Sequence, residues 1–279
     1  GDLKSPISKK NKAMSWEEIL EVVKRLRAEL EIPEGAAACG WDAKPAEPAS
    51  KPAEPAAVQE VPAAALTAAP AAAAEIVVPS EIVVLVIGMN GAGKTTIINA
   101  LQANYSADIR PTVGFSPTTM QLSEETKVVI YDVGGGVKIR GIWEQYYADV
   151  HGVVYVLDSS EQERWDEGIE LFKSSQAHKR VSGKPTLVLA NKQASAGARS
   201  VDEVGNAIGA AGLSNCSVLG CDADPTKGAT DEKIESGLEW LFGAVTEEYA
   251  GLSERVKAET IEYRQEKQRA AMERKMRVL

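Results

Sequence analysis

The sequence predicts an α/β protein with a mostly parallel six-stranded sheet and helices on both faces. Short apolar runs typical of buried strands alternate with helical patterns between residues 81 and 250. The first run leads directly into a Gly-rich loop and an apolar helical stretch, which is the order found in units with parallel strands. The predicted strands are 82–87, 118–122, 127–132, 152–158, 185–190 and 216–220.

The loop after the first predicted strand has the spacing of a phosphate-binding motif. Residues 88–95 match G-x-x-x-x-G-K-[ST], and the glycines allow successive backbone N–H groups to face a phosphate chain. We expect Lys94 to reach the outer phosphates and the Thr95 hydroxyl to ligate Mg²⁺. The predicted nucleotide-binding residues of this segment are Asn90, Gly91, Ala92, Gly93, Lys94, Thr95 and Thr96.

A phosphate loop alone fits kinases, ATPases and GTPases, so later motifs must distinguish these classes. Asp132 ends a strand before a Gly-rich turn, where its carboxylate can hold Mg²⁺ through water and the Gly135 N–H can sense a terminal phosphate. Thr112 is predicted to supply a second hydroxyl to the metal. The residues that bind the nucleotide base are expected after the last two strands, at Asn191, Lys192 and Ala223. A small kinase is disfavoured, since no acid or base lies in a substrate lid.

The composition limits the classes of function. The 279 residues carry a net charge of −9, which argues against nucleic acid as a partner because phosphate backbones need a clustered basic face. The three cysteines lack metal-ligand spacing, so we expect a reduced intracellular protein without disulfides. No apolar stretch is long enough to span a bilayer and no secretory signal is present, which favours a cytoplasmic protein.

Four segments are predicted along the chain. They are a basic tail with an amphipathic docking helix (1–33), a Pro/Ala-rich spacer (34–80), the main domain (81–250) and a charged helical extension (251–279). The helix over 15–32 begins with a capping box and carries one apolar stripe, so it needs burial against the main domain, a second copy or a protein partner. A protein partner outside the main domain is the favoured interpretation.

Both ends of the chain allow further contacts. The helical pattern over 252–277 is either a solvated extension or a partner-binding helix. Gly1 begins a loose G-x-x-x-[ST] acylation pattern followed by lysines, which allows membrane contact. Asp2 and Pro6 disfavour acylation, and Gly1 is equally compatible with the start of a fragment.

Three segments resemble the Arf-like small GTPases, namely residues 111–115, 132–160 and 183–193. The DxGGGxxIRGIW form from Asp132 to Trp143, with the charged helix that follows the domain, is similar to the ciliary Arf-like thirteen subfamily. The resemblance covers about residues 82–270 and implies a Ras-like P-loop G domain that binds GTP or GDP with Mg²⁺. It also implies a cilium or flagellum as location, on a peripheral membrane or the axoneme.

The resemblance carries expectations for individual residues. Arf-like proteins usually have Gln where this chain has Gly136, and that Gln orients the attacking water, so no catalytic residue is predicted and hydrolysis should be slow. The subfamily acts on another Arf-like small GTPase as a GTP-dependent exchange factor. The implied partner-binding residues are Arg140, Trp143 and Tyr146, with core packing as the other interpretation of Trp143.

One position departs from the family pattern. Asn191-Lys192 is followed by Gln193 and then Ala194, where the family has an Asp that accepts two hydrogen bonds from guanine. An alanine cannot accept these bonds, so we expect weaker and less selective guanine binding. Two hypotheses therefore remain. The first is a GTP-binding regulator with poor hydrolysis, and the second is a structural or docking protein of a ciliary assembly with a degraded nucleotide site.

Overall fold

The computed structural model describes residues 78–106 and 109–278, which form a six-stranded sheet with helices on both faces. The strands are β1 (Glu81–Ile87), β2 (Phe115–Gln121), β3 (Lys127–Val133), β4 (Gly152–Asp158), β5 (Thr186–Asn191) and β6 (Cys216–Gly220). The α-helices are α1 (Lys94–Leu101), α2 (Trp165–Ala177), α3 (Val201–Ile208), α4 (Glu232–Glu247) and α5 (Tyr249–Val278). A 3₁₀ helix, Arg140–Gln145, lies between β3 and β4.

All six predicted strands are confirmed, and β2 alone is displaced. It begins at Phe115 rather than at 118, because Pro117 interrupts the strand pattern in the sequence but pairs with Tyr131 in the antiparallel ladder with β3. A proline is tolerated there because β2 is an edge strand of the sheet. The predicted helix over 15–32, the spacer up to residue 77 and Gly1 lie outside the described residues, so a protein partner for that helix stays a prediction.

The order of the strands places the loops that carry the motifs at one edge. The sheet runs β2-β3-β1-β4-β5-β6, and every neighbouring pair except β2–β3 is parallel. The carboxyl ends of β1, β3, β4, β5 and β6 therefore meet at the same edge. Ligands of open α/β sheets bind at that edge, and there the phosphate loop follows β1.

The central strand β1 contributes to both halves of the core. Ile82, Val84 and Val86 point to the face covered by α1 and α4, and the alternate residues of β1 point to the face covered by α2 and α3. Nearly every side chain of β1 is buried, as expected for a parallel strand between two helical layers. This burial explains why the sequence of β1 is continuously apolar from Ile82 to Ile87 rather than alternating.

The first half of α5 packs against the domain, although the sequence suggested a separate extension from residue 251. Leu252 and Val256 are buried in or beside the core, and the Lys184 ammonium donates hydrogen bonds to the Glu259 carboxylate (2.9 Å) and to the Tyr147 carbonyl (2.8 Å). From residue 267 to residue 277 the side chains of the helix are exposed. No helix in the described part of the chain is both long and apolar enough to cross a bilayer.

The Lys184–Glu259 pair predicts a specific stability effect. The Lys184 side chain is 0% exposed, and burial lowers its pKa while Glu259 raises it. Replacing Glu259 by Ala leaves a buried ammonium without a counter-charge, so we expect Glu259→Ala to cost about 3 kcal/mol of unfolding free energy at pH 7. Lys184→Met removes the charge itself and leaves Glu259 paired with Arg255, so it should cost about 1 kcal/mol or less.

Denaturant unfolding followed by circular dichroism measures both variants, with Lys127→Gln, which breaks an exposed pair with Glu81, as a control that should change nothing measurable. Because the folded-state pKa of Lys184 lies below the unfolded value of 10.5, the unfolded state binds more protons, and stability rises with pH toward that value. The deficit of Glu259→Ala should therefore narrow between pH 7 and 10. A deficit independent of pH would contradict a role for the Lys184 charge.

Candidate nucleotide-binding site

The phosphate loop is held open by its backbone geometry. Gly93 adopts a left-handed conformation with φ of 99° and caps α1 without a side-chain hydrogen bond, so the first N–H groups of α1 are available to a ligand. A Cβ on Gly93 would collide with the Asn191 side chain. The site therefore requires glycine at this position for both conformation and space. Thr96 lies in the first turn of α1, so its backbone N–H is one of the N–H groups at the start of that helix.

The Lys94 side chain is buried inside the loop. Its ammonium donates hydrogen bonds to the carbonyls of Gly88 and Met89, both at 2.9 Å. Burial lowers the pKa of Lys94 to about 8, although the Asp132 carboxylate raises it, and Arg140 lowers it further. An anionic phosphate beside Lys94 would favour its charged form, so this lysine is positioned to gain from phosphate binding.

The three predicted metal-binding residues converge. The Thr95 hydroxyl donates to Asp132 Oδ2 at 2.7 Å, the Thr112 hydroxyl donates to the same oxygen at 3.1 Å, and the two hydroxyl oxygens are 2.8 Å apart. The other carboxylate oxygen, Asp132 Oδ1, is buried and has no hydrogen-bond partner. Two hydroxyls and a carboxylate with a spare oxygen form the hard donor set that Mg²⁺ prefers, so these residues fit the ion.

The Gly-rich turn after β3 lies directly against the phosphate loop. A Cβ on Gly135 would meet the loop backbone at Gly88, Met89 and Asn90, so only glycine allows this approach. The next residue, Gly136, differs, because the nearest atom to a Cβ there is Ile139 Cδ1 at 4.0 Å. The space at Gly136 would accept a longer side chain, so packing is not the reason that glutamine is absent.

The base end of the site is organised by Asn191, which is fully buried. Its Nδ2 donates to the Ala92 carbonyl at 2.8 Å, and its Oδ1 accepts from the Ala223 N–H at 2.9 Å. Asn191 thus joins the phosphate loop to the loop after β6. Lys192 has a left-handed φ of 65°, and its ammonium contacts the Asp158 carboxylate at 2.5 Å.

Ala194 is exposed in the turn after β5, and two aspartates, Asp222 and Asp224, lie in the loop after β6. Asp222 pairs with the Lys227 ammonium at 2.6 Å. Asp224 accepts hydrogen bonds from the N–H and the hydroxyl of Thr226. Both nearby acids are therefore occupied by contacts within their own loop.

The residues predicted to bind a partner separate into two groups. Trp143 is 3% exposed and its indole N–H donates to the Gly134 carbonyl at 2.9 Å, which agrees with core packing, one of the two interpretations left open by the sequence. Arg140 is mostly buried, with Nε on the Gly135 carbonyl and Nη1 on Glu167. Tyr146 is partly exposed, and its ring stacks on Phe115 with centroids 4.6 Å apart.

Exposed apolar side chains also occur in the two segments that contribute this stacked pair. Val113 is 85% exposed in the first switch segment, defined here as residues 111–115, and Val137 is 74% exposed in the second switch segment, residues 134–146. Tyr131 packs edge-on against Phe115 with centroids 4.9 Å apart. We call Val113, Phe115, Tyr131, Val137 and Tyr146 the switch surface.

Two residues of the site were missed in the sequence. Asp158 at the end of β4 holds Lys192, and Arg164 before α2 reaches the phosphate loop through Asn90. Burial alone would raise the pKa of Asp158, but hydrogen bonds from Lys192 and Ser160 lower it, so it stays ionised. Its position at the carboxyl end of a parallel strand was the available signal. No local sequence pattern predicts the role of Arg164, because its hydrogen bond to Asn90 spans 74 residues.

Comparison with known proteins agrees with this geometry. The model of the Arf family, described as the ADP-ribosylation factor family, matches residues 72–245. The chain is 36% identical over 188 residues to ADP-ribosylation factor-like protein 13B of Chlamydomonas reinhardtii, which covers 67% of this chain and 36% of that protein. It is 41% identical over 117 residues to the Caenorhabditis elegans protein of the same name, covering 42% of this chain and 32% of that protein.

The chain thus spans about a third of the length of these two relatives. A solved structure of the Arl6 BBS3 small GTPase from Trypanosoma brucei, with bound nucleotide analogue GppNp, superposes with a TM-score of 0.51 at 27% identity. That match covers 60% of this chain and 98% of the other. With a Ras-like sheet order, a complete phosphate loop and a family match over more than half of its length, the chain belongs to the ADP-ribosylation factor family of small GTPases.

Proposed function

We propose that this chain is a GTP-binding regulatory protein with slow intrinsic hydrolysis. The observation that carries the proposal is the convergence of Thr95, Thr112 and Asp132 beside Lys94. This arrangement brings the first switch segment to the metal side of the phosphate loop, as a triphosphate-bound GTPase requires. Mg²⁺ held here would neutralise phosphate charge, while Thr95 and Thr112 orient it and Lys94 binds the phosphates.

Slow hydrolysis follows from the second switch segment. In related GTPases a glutamine orients the attacking water, and Gly136 has no side chain for that task. The nearest atom to a Cβ at Gly136 would be Ile139 Cδ1 at 4.0 Å, so the space beside this position is open. The triphosphate state would therefore persist until another protein supplies the missing group or the nucleotide dissociates.

A substitution at Gly136 tests this proposal. Because the space accepts a side chain, Gly136→Gln should raise the single-turnover rate of GTP hydrolysis about tenfold or more, through a newly positioned water. Gly136→Ala adds a Cβ without an amide and serves as the matched control, which should hydrolyse GTP at the unaltered rate. Equal rates for all three proteins would contradict the role assigned to Gly136.

The second candidate function is a structural or docking protein with a degraded nucleotide site, and Ala194 favours it. Without a carboxylate at 194, guanine loses two charge-assisted hydrogen bonds, each worth roughly 1.5–3 kcal/mol. Asp222 and Asp224 do not compensate, since each is held within its own loop. Nucleotide carried through purification distinguishes the two functions: stoichiometric GTP supports the regulator, and a chain that stays empty with excess GTP and Mg²⁺ supports the docking protein.

Restoring the carboxylate predicts a defined change in base selectivity. The unaltered chain should bind GTP and ITP with dissociation constants within about threefold of each other, because the 2-amino group that ITP lacks has no acceptor here. Ala194→Asp should lower the dissociation constant about 100-fold for GTP and about tenfold for ITP. Ala194→Asn, which offers one oxygen without charge, is the control for size. Equilibrium titration with fluorescent nucleotides measures these constants, and strong GTP preference in the unaltered chain would contradict the prediction.

The partner we propose is another Arf-like small GTPase, in a cilium or flagellum, on a peripheral membrane or the axoneme. The resemblance in Asp132–Trp143 and the relatives named ADP-ribosylation factor-like protein 13B support this location and role. The switch surface supplies exposed apolar area beside the nucleotide, where a partner would sense the bound triphosphate. Of the three residues implied to bind a partner, Tyr146 is partly exposed and available for this contact, whereas Trp143 is buried.

A charge on the switch surface should block this activity. Val137→Asp places a carboxylate in the apolar surface, so it should slow the release of GDP from the second GTPase about tenfold relative to the unaltered, GTP-loaded chain. Val78→Asp changes another exposed valine before β1, at the opposite edge of the sheet, and should have no effect. Release is followed with a fluorescent GDP on the second GTPase. No acceleration by the unaltered chain would exclude the exchange role.

A further inference from the structure

Arg164 reaches the phosphate loop from outside it. Its Nη1 donates to Asn90 Oδ1 at 3.1 Å, across 74 residues of sequence. The Glu161 carboxylate holds the other side of the guanidinium, accepting from Nε at 3.1 Å and from Nη2 at 2.5 Å. The carboxylate thus fixes the direction in which the guanidinium faces. Nothing assigned so far to the nucleotide site uses this arginine.

Asn90 lies at the terminal-phosphate end of the loop. A Cβ on Gly135 would approach Asn90 N to 2.5 Å, so the turn that senses the terminal phosphate is in contact with this residue. The base end is elsewhere, at Ala92 and Asn191, which are joined by their own hydrogen bond. Arg164 therefore brings its positive charge to the end of the loop that distinguishes a triphosphate from a diphosphate.

The guanidinium also has donors to spare. Arginine carries five N–H donors, and within the described residues three are used, one on Asn90 and two on Glu161. The side chain is 41% exposed, so the remaining donors are accessible to a ligand. Its contact also fixes the Asn90 amide, because Oδ1 faces Arg164 and leaves Nδ2 as a donor on the other side.

We propose that Arg164 and Asn90 form a latch that binds the terminal phosphate of a nucleoside triphosphate and slows its release. The inference rests on the proposed GTP binding and adds a specificity for triphosphate over diphosphate. An arginine at a terminal phosphate stabilises its negative charge whether or not hydrolysis occurs. With Gly136 unable to orient water, the latch retains bound triphosphate. The latch adds binding energy at the phosphate end of the nucleotide, and this offsets part of the guanine affinity that is lost at the base end because of Ala194.

Dissociation rates of two fluorescent nucleotides test the latch. The probes are mant-labelled GppNp, which is not hydrolysed, and mant-GDP, each released by excess unlabelled nucleotide with Mg²⁺ present. Arg164→Ala should speed the release of the triphosphate analogue about tenfold and leave that of the diphosphate within about twofold. Asn90→Ala should act in the same direction, and the double variant should be no faster than Arg164→Ala, because both residues act through one contact.

Two controls separate the latch from general effects. Lys173→Ala removes an exposed positive charge from the same helix, α2, far from the loop, and should change neither rate. Arg164→Lys keeps the charge without the fork of donors and should recover only part of the retention. Equal acceleration of both nucleotides, or of neither, would overturn the latch while leaving GTP binding intact. Failure of the unaltered chain to bind either nucleotide would overturn the proposed function together with the latch.

Discussion

The Asp132 carboxylate is the contact on which the arrangement of the site depends. One of its oxygens accepts hydrogen bonds from Thr95, in the first turn after the phosphate loop, and from Thr112, in the first switch segment. Three segments that are distant in sequence therefore meet at one side chain. Asp132 is placed by β3, which pairs in parallel with β1, so the register of two buried strands determines where the first switch segment lies.

The same dependence explains which parts of the site were predictable. The phosphate loop and Asp132 follow strands directly, so a sequence motif and the parallel topology suffice to bring them together. The role of Asn191 was predicted only in part, because its hydrogen bonds to Ala92 and Ala223 connect two loops that are distant in the sequence. Arg164 was not predictable at all, since an arginine before a helix has no local feature that specifies Asn90 as its acceptor.

The fold shows a similar division. The strands β1, β4 and β5 were placed closely because a continuous apolar run is a strong signal for a strand buried on both faces. The edge strand β2 was displaced because its identity rests on pairing with β3 rather than on its own composition. The packing of α5 was missed for another reason. Its few apolar residues suggested a solvated helix, whereas Lys184, Arg180 and Lys179 hold it through ion pairs to Glu259, Glu262 and Glu266.

The attachment of α5 has a mechanical consequence. The Lys184 ammonium donates one hydrogen bond to Glu259 of the helix. It donates another to the Tyr147 carbonyl, just after the second switch segment. Thr260 adds a bond to Asp149 at 2.8 Å, and Lys267 reaches Gln145. The exposed residues 268–277 extend roughly 15 Å farther at the rise of an α-helix. The helix is therefore attached directly to the backbone that follows the second switch segment, and its exposed end projects away from that attachment.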